Sequence, residues 1–378
     1  MLERPLSSIC VHRPGKYLPK AEYSKGGPYR VHGSNSIMGT HTSYLYPGPM
    51  TVLARIGSKC GALAWEPNPA WINNNASVLC AREGTDSRWL HMLLSTLNMD
   101  EFREGSGQPF IAVKALMNAP VVVPSLVEQQ RIAGVLGAFD DLIERNLRLV
   151  RTMETLGDTL LSLASAGGDV QRLDQSCDII ESGKRPKGGV RGIASGVPSI
   201  GAEFINGLTP FAFEKTKFVP SDFAAAMRRG VLEDMDVLVY KDGGKPGEFF
   251  PDVSAVGRGY PFGHMVINEH VFRVRAREAI GQGYLYFWLH SPAMMQAMKE
   301  IGSRTAAIPG MNASNFGALP IRVPTPEAKA ICTQLDLYLG ACLELLAECR
   351  DLAAQRDELL PLLMSGKVRV SEVEGSLP

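Results

Sequence analysis

Two loops carry the residues best suited to meet an anion. VLARIGSKCG (Val52 to Gly61) and VLVYKDGGKPG (Val237 to Gly247) end in the same G-x-K-x-G tail. Glycine lets a backbone approach a ligand closely, and a nearby cation reaches a phosphate oxygen or a guanine edge. Arg55 and Lys59 in the first loop, and Lys241 and Lys245 in the second, are the leading candidates for nucleic-acid contact. Lys184, Arg185 and Lys187 form a second basic group, and the first half of the chain has Lys16 and Lys20 at the matching place. Arg304 completes the set. Glycine also serves plain turns and lysine plain solvation, so these residue types alone specify no ligand.

For bond-making chemistry the sequence offers little. Every Gly-Lys pair is followed by Tyr, Arg, Pro or Val, so no G-x-x-x-x-G-K-[ST] phosphate loop is present. H-E-x-x-H and G-x-S-x-G are also missing. Asn68-Pro69-Ala70-Trp71 only approaches the Asn-Pro-Pro-Tyr type of tetrapeptide that base-methylating enzymes use. The seven cysteines contain no C-x-x-C pair, which predicts neither a zinc site nor a disulfide framework and fits a reducing cytoplasm. Isolated acids such as Asp234, Asp236 and Asp242 could be imagined as a nuclease site, but loop and strand-edge acids are more often structural. The expectation is therefore no catalytic residue, no metal and no cofactor. With unbroken apolar runs of only a few residues and a charged MLERPLSS start, neither a membrane helix nor a secretory signal is expected.

The elements that must position these loops repeat. Pro120-Val-Val-Val-Pro124 and Pro320-Ile-Arg-Val-Pro324 lie 200 residues apart, each opening a long segment poor in glycine. Ile132, Asp158 and Leu160 find counterparts in Ile331, Asp357 and Leu359. Upstream, Leu6 to Cys10 with Gly15-Lys16 matches Leu173 to Cys177 with Gly183-Lys184, and Ile72-Asn73 matches Ile267-Asn268. Gly105-Ser106 precedes Ile111 at the spacing with which Gly302-Ser303 precedes Ile308. Matches in one order predict a duplicated unit: globular parts 1–124 and 168–324, helices 125–167 and 325–366, and a tail 367–378. Short β-type runs, with helical patches at Trp89–Leu97 and Tyr284–Met298, make the globular parts α+β.

Both helices carry apolar residues in steps of three and four. The first reads Ile132, Val135, Phe139, Leu142, Asn146, Leu149, Met153, Leu156, Leu160 and Leu163. The second reads Ile331, Leu335, Tyr338, Cys342, Leu345, Cys349, Leu352, Arg356, Leu359 and Leu363. A strict period of 3.5 predicts helix-on-helix packing as a coiled coil. Asn146 would fix register at some cost in stability, and Arg356 would bury its stem while its guanidinium finds a carboxylate or a partner.

The 39 Lys+Arg and 39 Asp+Glu give a formal net charge of zero, but the two signs are not mixed evenly. The globular parts are net +4 and +2, and the helices with the tail are net −2 and −4. A basic excess on the loop-bearing parts is compatible with nucleic acid and too small to require it.

In GPYRVHGSNSIMGTH, GSGQPFI and APVVVPSLVEQQRIAGVL, and in CDIIESGKRPKGG, INEHVFRVR and LLPLLMSGKVRV, the chain resembles the specificity subunit of type I restriction–modification systems. The Val323-Pro-Thr-Pro-Glu327 junction lacks the Gln-Gln-Arg of its counterpart. The resemblance implies two similar α/β target recognition domains joined by two long helices, packed as an antiparallel coiled coil about a pseudo-twofold axis. It implies a non-catalytic subunit that reads a bipartite site in double-stranded DNA. Methyltransferase subunits would dock on it, and restriction/translocase subunits would join, with S-adenosylmethionine, ATP and Mg on those partners. The competing reading is a coiled-coil scaffold that binds protein partners without DNA.

Overall fold

The computed structural model describes residues 2–34, 36–245, 247–304 and 308–370; Pro246 of the second loop and positions 371–378 of the expected tail lie outside them. The chain forms two compact units, 1–141 with 353–378, and 142–352.

In the first unit the elements run β1 (Leu2–Pro5), β2 (Cys10–Pro14), β3 (Tyr29–His32), β4 (Ile37–His41), β5 (Met50–Ala54), β6 (Leu63–Glu66), β7 (Ala70–Ile72) and β8 (Ala76–Ala81). Then follow α1 (Ser87–Thr96), β9 (Arg103–Glu104), β10 (Phe110–Ile111), α2 (Val113–Met117) and β11 (Pro120–Val123), before the 39-residue α3 (Leu126–Ala164). The main sheet has the order β2-β8-β5-β6, and a smaller one β4-β3-β7, in which β3 and β7 are parallel. All five residues of β5 are buried, as expected of an apolar strand with neighbours on both sides. Asp86 starts α1 by accepting the Trp89 N–H at 2.8 Å, and Trp89, Leu90, Leu93 and Leu94 turn into the core.

The second unit repeats that topology. Its elements are β12 (Val170–Arg172), α4 (Leu173–Ser176), β13 (Cys177–Ser182), β14 (Val197–Ile200), β15 (Lys217–Val219), α5 (Ser221–Ala225), β16 (Val237–Tyr240), β17 (Val253–Ala255), β18 (Val266–Ile267) and β19 (Val271–Ala276). After them come α6 (Gln282–His290), α7 (Pro292–Ser303), α8 (Ala313–Gly317), β20 (Pro320–Arg322) and α9 (Lys329–Met364). Sheet orders β13-β19-β16-β17 and β15-β14-β18 reproduce those of the first unit, including one parallel pair, β14 with β18. The pair β12–β20 reproduces β1–β11. The helical patch Tyr284–Met298 is broken into α6 and α7, because Pro292 opens the second helix at its first turn. One repeat match needs correction. The Ile111 N–H bonds Arg55 O and the Met311 N–H bonds Lys241 O, so Ile111 pairs with Met311. Ile308, the partner expected from spacing, is 68% exposed whereas Ile111 is buried.

The long helices meet within each unit. In the second, the Asn146 amide donates to Glu348 at 3.0 Å, Cys349 lies on the Ile143 carbonyl and Cys342 on that of Val150, so numbering rises on one helix as it falls on the other. In the first, Arg356 donates to Asp140 at 2.6 Å, and Ile132 and Leu363 share one core. On α9 the expected seam is turned inward: Leu335 is fully buried, and Tyr338 and Leu345 are half-buried. On α3, Ile132 and Asn146 are buried, and Phe139 and Met153 half-buried. Leu149, Leu156 and Leu163, however, are exposed, and Val150, Gly157, Leu161 and Ala164 take the inward face instead. The strict 3.5 repeat is thus wrong for α3, because a straight helix drifts by about 20° per heptad from such a repeat.

Among the described residues, one stretch, Pro326–Met364, is long and apolar enough to cross a membrane by length and composition, with a mean hydropathy of 1.4 in its best window. Counting unbroken apolar runs missed it, since single polar residues interrupt the run without lowering the average much. Its Leu335, Leu339, Cys342 and Leu346 fill the core of the second unit.

Candidate nucleic-acid interface

Four loops meet at one end of each main sheet. In the first unit the Lys16 N–H bonds Ile72 O, the Arg55 N–H bonds Asn75 O, and the Gly57 N–H bonds Pro109 O. These bonds join the loops at 15–16, 55–61, 73–75 and 108–110. In the second unit the Gly183 N–H bonds Asn268 O, the Lys241 N–H bonds His270 O, and the Gly243 N–H bonds Pro309 O. A Cβ on Gly15 would lie 2.1 Å from Asn73 O, and one on Gly183 would lie 1.7 Å from Ile267 O, so both crossings require glycine. Both G-x-K-x-G tails turn on left-handed glycines, Gly57 and Gly61 at φ +105° and +94°, and Gly243 and Gly247 at +135° and +79°.

The cations at this end fall into two groups. Lys59 and Lys245 are exposed at the loop crests, as are Lys16 and Lys184 at the crossings. Arg55 and Lys241 occupy equivalent places and do equivalent work. Arg55 donates to Asn74 O at 3.3 Å, and Lys241 to Glu269 O at 2.9 Å. Lys241 also sits 3.1 Å from Asp242 and over the Phe272 ring, so its charge already has partners. Each of these two cations braces the turn before the last long strand of its sheet. Lys20 and Lys187 are exposed on flanking segments, and Arg304 is exposed where α7 ends. Arg185 contacts Glu269 and His270, which places it beside the braced turn.

Sequence reasoning overlooked that turn. It carries Asn73-Asn74-Asn75 in the first unit and Asn268-Glu269-His270 in the second. Asn74 and Asn75 are exposed, and His270 is 39% exposed at its side chain. The signal was available, since Ile72-Asn73 and Ile267-Asn268 had been matched as repeats and the turn begins there.

No nuclease geometry forms from the three acids. Asp236 is fully buried, 2.6 Å from Arg273 Nε and 2.9 Å from Arg275 Nε. Asp242 holds His270 at 2.5 Å, and Arg275 takes the Asp234 carbonyl at 2.7 Å. Among the described residues, no cluster of three or more His, Cys, Asp or Glu is arranged to hold a metal ion.

Beneath the first sheet, the His91 ring lies tilted against Trp65, with centroids 5.6 Å apart, and meets the Thr51 hydroxyl at 3.2 Å. Burial drives the His91 imidazole down to about 4 from 6.5, although Asp140 opposes the fall. A base depressed in the folded state gives stability that is full above the unfolded value and is lost as pH falls through the folded one. The melting temperature of the chain is thus expected to drop between about pH 6.5 and 4, and less steeply in His91→Gln. Parallel pH profiles for the two proteins in scanning calorimetry would remove His91 as the cause.

A family model for the type I restriction modification DNA specificity domain matches residues 2–149, which span the first unit's sheets, their loop cluster and the start of α3. The likeness to that domain runs over residues 2–149 alone. The type I restriction enzyme EcoprrI specificity subunit of Escherichia coli is 28% identical over 114 residues, 30% of this chain and 28% of that one. The MjaIX specificity subunit of Methanocaldococcus jannaschii is 31% identical over 110 residues, 28% of this chain and 26% of that one. The matched part thus spans less than a third of the length of these curated relatives. The fold likeness runs further than the specificity domain itself. The S subunit of a type I restriction–modification system from M. genitalium superposes with a TM-score of 0.58 at 17% identity, covering 96% of this chain and 95% of that one. At that identity the likeness is one of fold, mixed α/β with a long helix.

Proposed function

We propose that the chain is the non-catalytic DNA-recognition subunit of a type I restriction–modification complex, acting in the cytoplasm. The carrying observation is the duplication: two units of one strand order bring loops of one chemistry to the same end of each sheet. The reading domains are 1–124 and 168–324, one for each half of a bipartite site. Helices 125–167 and 325–366 form an antiparallel, pseudo-twofold coiled-coil frame that sets the spacing and docks two methyltransferase subunits. Recognition modules one turn of DNA apart need about 34–36 Å of separation. Helices of 39 and 36 residues, at ~1.5 Å per residue, are longer than that. S-adenosylmethionine, ATP and Mg belong to the methyltransferase and restriction/translocase partners. No step of bond-making is assigned to this chain.

The exposed Lys59 and Lys245 serve as phosphate contacts in this reading. Replacing both by alanine is expected to weaken binding to all duplexes alike. The slope of log affinity against log salt should also fall by about 2, because each neutralised phosphate contributes about 0.9. Fluorescence anisotropy of the full chain on random-sequence duplex across a salt series measures it. Wild-type binding that ignores salt, or no DNA dependence at ~50 mM salt, would favour the protein-binding scaffold instead.

A further inference from the structure

The turn at the loop end is built differently in the two units. In the first it joins β7 to β8, and its backbone is tied down along its length. The Asn73 N–H bonds His32 O, the Ala76 N–H bonds Asn73 O, and the Asn74 N–H donates to the Asn73 side-chain oxygen at 2.7 Å. Arg55 takes the two carbonyls that remain, that of Asn75 through its backbone N–H and that of Asn74 through Nη2. The side chains of Asn74 and Asn75 stand out from this turn, both residues being exposed. Among the described residues neither side chain has a hydrogen-bond partner. Neither residue has a positive φ, the backbone state that favours asparagine. So neither a local hydrogen bond nor the backbone calls for an amide at these two places. In the second unit the same turn has its side chains occupied. Asn268 Oδ1 accepts the His270 N–H at 2.9 Å, Asp242 holds His270 Nδ1 at 2.5 Å, and Glu269 pairs with Arg185.

We infer that Asn74 and Asn75 are base-reading residues that select adenine in the half-site of the first unit. The inference rests on the DNA-recognition reading above and adds a base and its readers to it. A side-chain amide offers an acceptor oxygen and a donor nitrogen side by side. Adenine alone presents the matching pair, the N6 amino group and N7, together in the major groove. The tied backbone lowers the ordering cost of binding, since only two short side chains remain to be fixed when DNA arrives. Lys16 and Lys59, exposed at the same end, supply phosphate contacts that hold the unit in register without reading sequence. The second unit carries no amide at positions 269 and 270, so this preference belongs to one half-site.

The test is the methylation pattern of host DNA with the full chain in its own complex. Deleting the chain should remove one bipartite motif; if no motif disappears, the DNA-recognition reading fails and takes this inference with it. With Asn74→Ala and Asn75→Ala combined, an A·T position in one half of that motif, other than the methylated base, is expected to become degenerate. Discrimination there should fall roughly 10- to 100-fold while the other half stays intact. The single variants Asn74→Asp and Asn75→Asp keep the shape and carry acceptors alone. At the position each reads, adenine and cytosine should then be taken alike, because both offer an amino group. A motif that survives the double alanine variant unchanged overturns the inference. So does an adenine preference kept in full by both aspartate variants. An even loss of methylation at every site, with the motif intact, marks a phosphate contact and overturns it. Loss of all methylation in the double alanine variant overturns it too, because exposed amides that no neighbour uses would then act on the whole complex rather than on one base.

Discussion

Asp236→Ala is expected to destabilise the second unit by about 3–5 kcal/mol, the cost of leaving a buried charge without its partner. The carboxylate has no exposed surface, and the side chain of Arg273 beside it is only 7% exposed. Three donors converge on Asp236: Arg273 Nε at 2.6 Å, Arg275 Nε at 2.9 Å and the Glu233 N–H at 2.7 Å. Burial alone would lower the Arg273 guanidinium, yet Asp236 and Glu233 hold it above its ordinary value. Without Asp236 the remaining carboxylates, Glu181 at 3.3 Å and Glu233 at 3.2 Å, do not replace the contact at Nε. Urea unfolding should show a lower midpoint at an unchanged slope. A loss under about 1 kcal/mol would mean that water reaches the site and that the network is not sealed.

The second large effect separates two glycines of the same helix by sign. A Cβ at Gly157 would lie 2.2 Å from two ring atoms of Phe287, whereas one at Gly134 meets nothing within 4 Å. Phe287 is fully buried and packs edge-on against Tyr286 at 5.2 Å, so its ring has nowhere to retreat. Gly157→Val is expected to cost about 1–3 kcal/mol through overpacking. Gly134→Ala should stabilise by up to about 1 kcal/mol, the helix-propensity gain alone. Thermal melts of both variants decide it: shifts of one sign would show that propensity, not the contact between α3 and α6, governs position 157.

Much of the topology was legible in the order and spacing of the repeats. Pro120–Val123 and Pro320–Arg322 do form strands ahead of the two long helices, paired with β1 and β12, and Ile72 and Ile267 do end the parallel strands. What failed depended on which neighbour a side chain meets. Leu149, Leu156 and Leu163 satisfy an apolar repeat as well as Val150 and Leu161 do, and only the packed partner tells them apart. At the candidate site, glycine and lysine types singled out two loops but not what each side chain contacts. Arg55 and Lys241 face carbonyls of their own unit, and that follows from a strand pairing that spacing does not encode. The 73–75 and 268–270 turns stayed hidden because Asn, Glu and His carry no motif. Their meaning comes from the side chains that three other loops bring beside them.

Both units draw on α9 for their interiors. Leu335, Leu339, Cys342 and Leu346 belong to the core of the second, and Leu363 with Val370 to that of the first. The ribosome delivers these residues late, after every strand of both sheets has emerged. Until then each sheet has part of its apolar face open to water, and contacts between residues some 200 positions apart remain to be made. Two bodies that could have matured one after the other must therefore finish together, on the arrival of a single segment.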